Sequence, residues 1–214
     1  MRVHAPLEVL RDQSSASVSS EQDYSCACAT TRTDTGAVAR SLTTAFPDWP
    51  QHAARLRDGV RNLSADQLAL SAGPDHAPIW ALAAHTAGTR VYWLCGVFGQ
   101  PGAETTPWHN PLTDEGWEDD LSHPRSGDEL AWALDASWTI IEGCLARWTV
   151  DDLELTASRT REDGLVQVHT RASILDRVFT HEAYHAGEIS QLLGAHGLPA
   201  IDLWAKPWVA LHRT

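Results

Sequence analysis

Lysine is all but missing from this 214-residue chain: Lys206 stands alone and every other basic side chain is arginine, a pattern that reads as GC-rich codon usage. Positive charge as a whole is scarce, with 16 Lys and Arg against 28 Asp and Glu, a formal net charge of -12 and a pI of about 5.2. Nucleic acids and anionic membrane surfaces both demand a basic footprint, so neither is an expected partner; a small molecule is. Long apolar runs are lacking too. Ile79–Ala84 and Val91–Leu94 fall far short of the ~20 residues that span a bilayer. The first ten residues contain no apolar core before Arg11 and Asp12, so no secretory signal is read and a cytoplasmic location is expected. The four cysteines are too few and too scattered for a disulfide framework or a zinc ribbon. Cys26 and Cys28 form a CxC in a Ser/Thr/Ala-rich stretch, and Cys95 and Cys144 sit singly in segments that look like apolar helix faces.

What the chain does have is helical periodicity over its last three quarters. Residues 1–40 lack any sustained pattern and are expected to be a flexible extension, leaving 41–214 as one domain with a C-terminal tail that carries Trp204 and Trp208. A first helix is predicted from about Pro50 to Leu63, with Leu56, Val60 and Leu63 on one stripe. Ser64-Ala-Asp-Gln-Leu reads as a capped turn leading to a loop near Pro74. The second helix spans about Pro78–Phe98, and on its ~100° wheel Leu82, His85, Thr89 and Tyr92 share a face. Gly99–Arg125 is turn-rich and long enough to retrace a helix, so the third helix can start parallel to the second. Ser126-Gly-Asp-Glu129 is a capping box that opens the third helix, which runs to about Trp148. Leu153–Thr156 and Leu165–His169, separated by Glu162-Asp-Gly, suggest a short hairpin. The fourth helix runs from about Thr170 to Ala195 and is stopped by Gly197-Leu-Pro.

The chemistry concentrates in His181-Glu-Ala-Tyr-His185-Ala-Gly-Glu188. At ~100° per residue, His181, His185 and Glu188 fall on one stripe, and two imidazoles one turn apart can bite a single metal ion. With the inward His85 they make three ligands, the count that leaves a catalytic metal an open position; core histidines bonded to backbone or carboxylate are the alternative. Glu188 either orients a ligand imidazole, carries a proton, or pairs with Arg177 or another arginine. Arg177 either grips a substrate carboxylate or forms an ordinary ion pair. Tyr92 and Tyr184 flank the ligand faces as oxyanion donors or as packing residues. Trp108 and Trp117 lie in the long loop and are candidate pocket walls, whereas Trp80, Trp93, Trp132, Trp138 and Trp148 belong to helices and read as core or interface. His109, His123 and His169 are expected to be solvated.

Through Ile79-Trp80-Ala-Leu-Ala-Ala-His85-Thr-Ala-Gly and His181-Glu-Ala-Tyr-His185-Ala-Gly-Glu188-Ile, the chain resembles the DinB/YfiT-like superfamily of metalloenzymes over roughly residues 42–204. The resemblance implies an all-α four-helix bundle of up-down-down-up topology with a long crossover between helices 2 and 3. It implies a divalent ion, zinc or nickel, on His85, His181 and His185. It also implies transfer of a low-molecular-weight thiol such as mycothiol to a small electrophile, and a homodimer. A metal-dependent hydrolase or isomerase, or a non-catalytic metal-binding bundle, are the other readings.

Overall fold

The computed structural model describes residues 41–161 and 163–203. The N-terminal extension with its CxC and the tail bearing Trp204 and Trp208 lie outside them. The described residues are mostly helical, with one small two-stranded sheet. The long helices are α1 (Trp49–Arg61), α3 (Ile79–Val91), α4 (Gly127–Arg147) and α5 (Arg171–Ala195), and a single capped turn, α2 (Ala65–Leu68), follows α1. α3 continues without a break into a π-helical turn, Tyr92–Val97, which Gly99 ends in the left-handed conformation (φ 62°). None of the helices among the described residues is long and apolar enough to cross a membrane.

Local chemistry accounts for the helix starts. The Ser126 hydroxyl accepts the Glu129 amide while the Glu129 carboxylate accepts the Ser126 amide, which satisfies two of the free N–H groups at the mouth of α4. Ser64 with Gln67 and Thr170 with Ser173 repeat the device for α2 and α5. The first helical residue of α4 is Gly127 because the chain of α1 passes close by: a Cβ there would lie 2.4 Å from the carbonyl oxygen of Arg61. Gly197 (φ 71°) stops α5, as expected from the sequence.

The predicted apolar stripes meet in one core. Leu56 and Val60 of α1, Ile79 of α3, Leu134 and Ile141 of α4 and Ile174 of α5 are all fully enclosed, and each contributes roughly 1.5–3 kcal/mol by leaving water. Trp49 completes it, edge-on to Trp138 at 5.8 Å and to Phe179 at 5.1 Å. Trp132, by contrast, is half exposed. A buried ion pair also crosses the core. Arg90 of α3 donates to the Glu182 carboxylate at 2.6 Å, to the Leu134 carbonyl and to the Ser137 hydroxyl, and Trp49 Nε1 donates to the same Glu182 oxygen at 3.1 Å. Both charges are at most 2% exposed. Cys95 and Cys144 are buried free thiols that burial pushes up to about 11 and about 12, which makes them inert at neutral pH.

The hairpin exists, but its first strand lies later than predicted. β1 is Thr156–Thr160 and β2 is Val166–Thr170, antiparallel, with Thr156 opposite Thr170. Asp151–Glu154 instead winds into a 3-10 turn held by the Asp152 carboxylate, which accepts from the amide and hydroxyl of Thr149. That local bond draws Leu153 and Glu154 away from the ladder.

Candidate metal centre

α3 and α5 bring His85, His181 and His185 to one point. His181 Nε2 lies 3.1 Å from Nε2 of His85 and 3.1 Å from Nε2 of His185, and one ligand atom from each residue falls within 4.8 Å of the others. Two ligands on a tetrahedral ion with bonds of ~2.0–2.1 Å are separated by roughly 3.3 Å, so the two 3.1 Å spacings suit a single divalent ion. The i,i+4 pair on α5 offers two of the donor atoms, and the α3–α5 packing brings the third beside them.

The opposite edge of two of the rings explains why the Nε2 atoms face each other. His85 Nδ1 donates to the Glu118 carboxylate at 2.8 Å, and His185 Nδ1 donates to Glu188 at 2.5 Å. A carboxylate on Nδ1 holds the proton there and leaves Nε2 with a lone pair. His181 Nε2 can give its one proton to only one of its two neighbours. At least one lone pair therefore points at another nitrogen without a proton between them, an arrangement that a shared cation resolves. Burial, and after it the neighbouring His185, His85, Arg177 and Arg90, lowers the His181 imidazole to about 3. Burial lowers His185 as well, against the opposing pull of Glu188. Neutral imidazoles are the form that binds metal.

Of the other candidate residues, Glu188 is brought to the triad as the partner of His185 and not of Arg177. Tyr184 is 64% exposed and stands edge-on to the His185 ring at 5.1 Å. Tyr92, two turns beyond His85, is half-buried and its hydroxyl accepts from Arg159 at 2.8 Å. Arg177 lies over the Trp93 ring, 5.0 Å from its centroid, and pairs with no carboxylate among the described residues. Trp108 is 4% exposed and packs beneath Trp117 at 5.5 Å, which places it in the core rather than on a pocket wall. His169 is half-buried against Trp93 rather than solvated. A cavity of about 340 Å³ between Cys95, Gly96 and the His109–Thr113 loop shares no residue with the triad.

Glu118 was not singled out in the sequence. It sits on a 3-10 turn, Trp117–Asp119, inside the long α3–α4 connection, and that turn packs on α3. The connection thus covers the triad by lending it a carboxylate. The cation–π contact of Arg125 over Trp117, 4.4 Å, helps to fix the turn.

The sequence profile of the DinB superfamily matches residues 29–189, beginning ahead of the residue 42 expected from the motifs. Among solved structures, the crystal structure of a DinB-like protein from Bacillus cereus ATCC 10987 is similar, with a TM-score of 0.52 at 17% identity over 76% of this chain and 97% of that one. At that identity the likeness speaks for the fold. No curated protein matches this chain significantly.

Proposed function

Since the chain belongs to the DinB superfamily, we propose that it is a divalent-metal-dependent enzyme built on a four-helix bundle of up-down-down-up topology, with zinc as the favoured metal and nickel as the alternative. One observation carries the reading: three Nε2 atoms converge, two of them with lone pairs fixed by Glu118 and Glu188. His85, His181 and His185 would hold the ion, and three protein ligands leave it an open position. A divalent ion in such a site supplies Lewis-acid activation, making a thiol or a water nucleophilic at neutral pH.

The remaining roles fall to side chains of the chain itself. Glu118 and Glu188 keep the Nδ1 protons of His85 and His185 in place, which holds both rings in one tautomer and orientation. Because Tyr92 accepts from Arg159, its own proton is free to donate to a substrate oxygen that gains charge. The Trp117–Asp119 turn brings Glu118 to His85, whose ring stays 39% exposed and so open to a substrate. The reaction that best suits a small anionic chain with this site is transfer of a low-molecular-weight thiol, mycothiol or a relative, to a small electrophile. The thiol assignment is supported by the family resemblance and the arginine-rich codon usage. Incubating zinc-loaded protein with a panel of thiols and electrophiles tests it. Metal-dependent thiol consumption is expected, and none across the panel overturns the transferase reading. Turnover without thiol would assign hydrolysis or isomerisation instead.

A further inference from the structure

The two hairpin strands, the π-helical turn and the first half of α5 gather cationic groups that pair with no acid among the described residues. Ala157 pairs with His169 and Arg159 with Gln167, so Arg159 and His169 project from one sheet face, the half-buried one. That face lies on Trp93. The His169 ring stands edge-on to the indole at 4.9 Å, and the guanidinium groups of Arg159 and Arg177 lie 4.9 and 5.0 Å from its centroid. Arg159 uses Nε for Gln167 at 3.0 Å and Nη1 for Tyr92 at 2.8 Å, and its Nη2 has no partner among the described residues. The Arg177 guanidinium makes no hydrogen bond or ion pair there, and His169 Nε2 is buried without a partner.

Among the other described residues, Arg57, Arg61, Arg90, Arg125, Arg161 and Arg171 each have a carboxylate within salt-bridge distance. Arg147, which bonds the Gln100 side chain, also lacks a carboxylate, and Arg177 is exposed; what sets Arg159 and Arg177 apart among the described residues is that both lie on one indole. Their mutual repulsion and open donors would be relieved by an anion, and guanidinium forks match carboxylate or phosphate oxygens well. The place is also suited to a substrate. Arg177 is one turn ahead of His181 on α5, roughly 6 Å along the axis, and Tyr92 is two turns beyond His85 on the α3 side, roughly 10 Å.

We propose that Arg159 and Arg177, stacked on Trp93 and bordered by Tyr92 and His169, form an anion site that holds the carboxylate of a small acidic substrate whose reactive end faces the histidine triad. The position of the reactive end rests on the metal-site reading, whereas the anion site stands without it.

Calorimetric titration of the full chain, zinc-loaded and again after chelator treatment, tests this with succinate, its neutral isostere succinamide, and inorganic phosphate. Succinate is expected to bind both forms, and succinamide neither. Arg159→Gln and Arg177→Gln are each expected to weaken succinate about tenfold or more. Arg177→Lys, which keeps the charge and the aliphatic stem but not the fork, should fall between wild type and Arg177→Gln. Phosphate binding more tightly than succinate would keep the anion site but assign it to a phosphate-bearing substrate. Equal binding of succinate and succinamide, or unchanged succinate binding in both Gln variants, overturns the proposal. Binding to the chelated form that disappears in Arg177→Gln would uphold it even if no metal were found on the histidines.

Discussion

Replacing Glu118 separates metal binding from folding. Its carboxylate accepts from His85 Nδ1 at 2.8 Å, is only 23% exposed, and its other oxygen is buried without a partner among the described residues. Besides its bond to His85, its charge reaches His185 as the smallest of the influences on that ring. Loss of a carboxylate behind a ligand histidine costs about 10–100-fold in metal affinity. With two of three ligands affected, Glu118→Ala should lie near the upper end, about 2.7 kcal/mol. Glu118→Gln still accepts from Nδ1 and keeps the tautomer but removes the charge, so about tenfold is expected. The metal-free protein should respond in the opposite sense. A buried carboxylate oxygen without a partner costs roughly 1–3 kcal/mol, and the bond from His85 to the other oxygen offsets only part of that. Thermal unfolding of metal-free Glu118→Gln should therefore occur at or above the wild-type temperature. Competition with a chromophoric zinc chelator gives the affinities, and melts in excess chelator give the stabilities. Zinc affinity unchanged in Glu118→Ala would refute the assigned role, and so would affinity and metal-free stability falling together.

Two further outcomes follow from the same structure. His181 titrates at about 3 when folded against the ordinary 6.5 when unfolded, and His185 is lowered too, so the unfolded chain binds more protons over that interval. Metal-free protein should then lose stability as pH falls from about 6.5 toward 3, and His181→Asn should flatten that slope in thermal melts; a slope unchanged by the substitution would contradict the burial argument. Glu182→Ala strands Arg90 in the core and should cost about 3–5 kcal/mol in denaturant unfolding, much more than the joint replacement Arg90→Met with Glu182→Leu; a loss below about 1 kcal/mol would contradict the core ion pair.

The helices and the three clustered histidines were legible because both rest on short-range periodicity. The stripe through Leu134, Ile141 and Leu145, the Ser126 capping box and the i,i+4 spacing of His181 and His185 are local patterns, and each is realised. His85 was legible because it shares a helix face with Leu82 and Tyr92. What escaped depends on contacts distant in sequence. Glu118 lies in a turn-rich loop where no period marks it, and only the path of that loop brings it 33 residues back to His85. Glu182 stands inside the histidine motif, yet its carboxylate turns to the core, where Arg90 waits on another helix. β1 was placed too early because the apolar Leu153 and Leu155 resemble strand residues, while the Thr149–Asp152 bond commits that segment to a turn. Arg159 gained meaning only when the hairpin register put it on the face of His169.

Whether the three histidines hold a metal is decided by the metal content of the purified full chain, prepared without chelator. About one divalent ion per chain is expected in the wild type, and loss of that ion with the fold largely retained when His85, His181 and His185 are replaced by alanine. Wild-type protein that carries no divalent ion and takes up none when zinc or nickel is offered would contradict it.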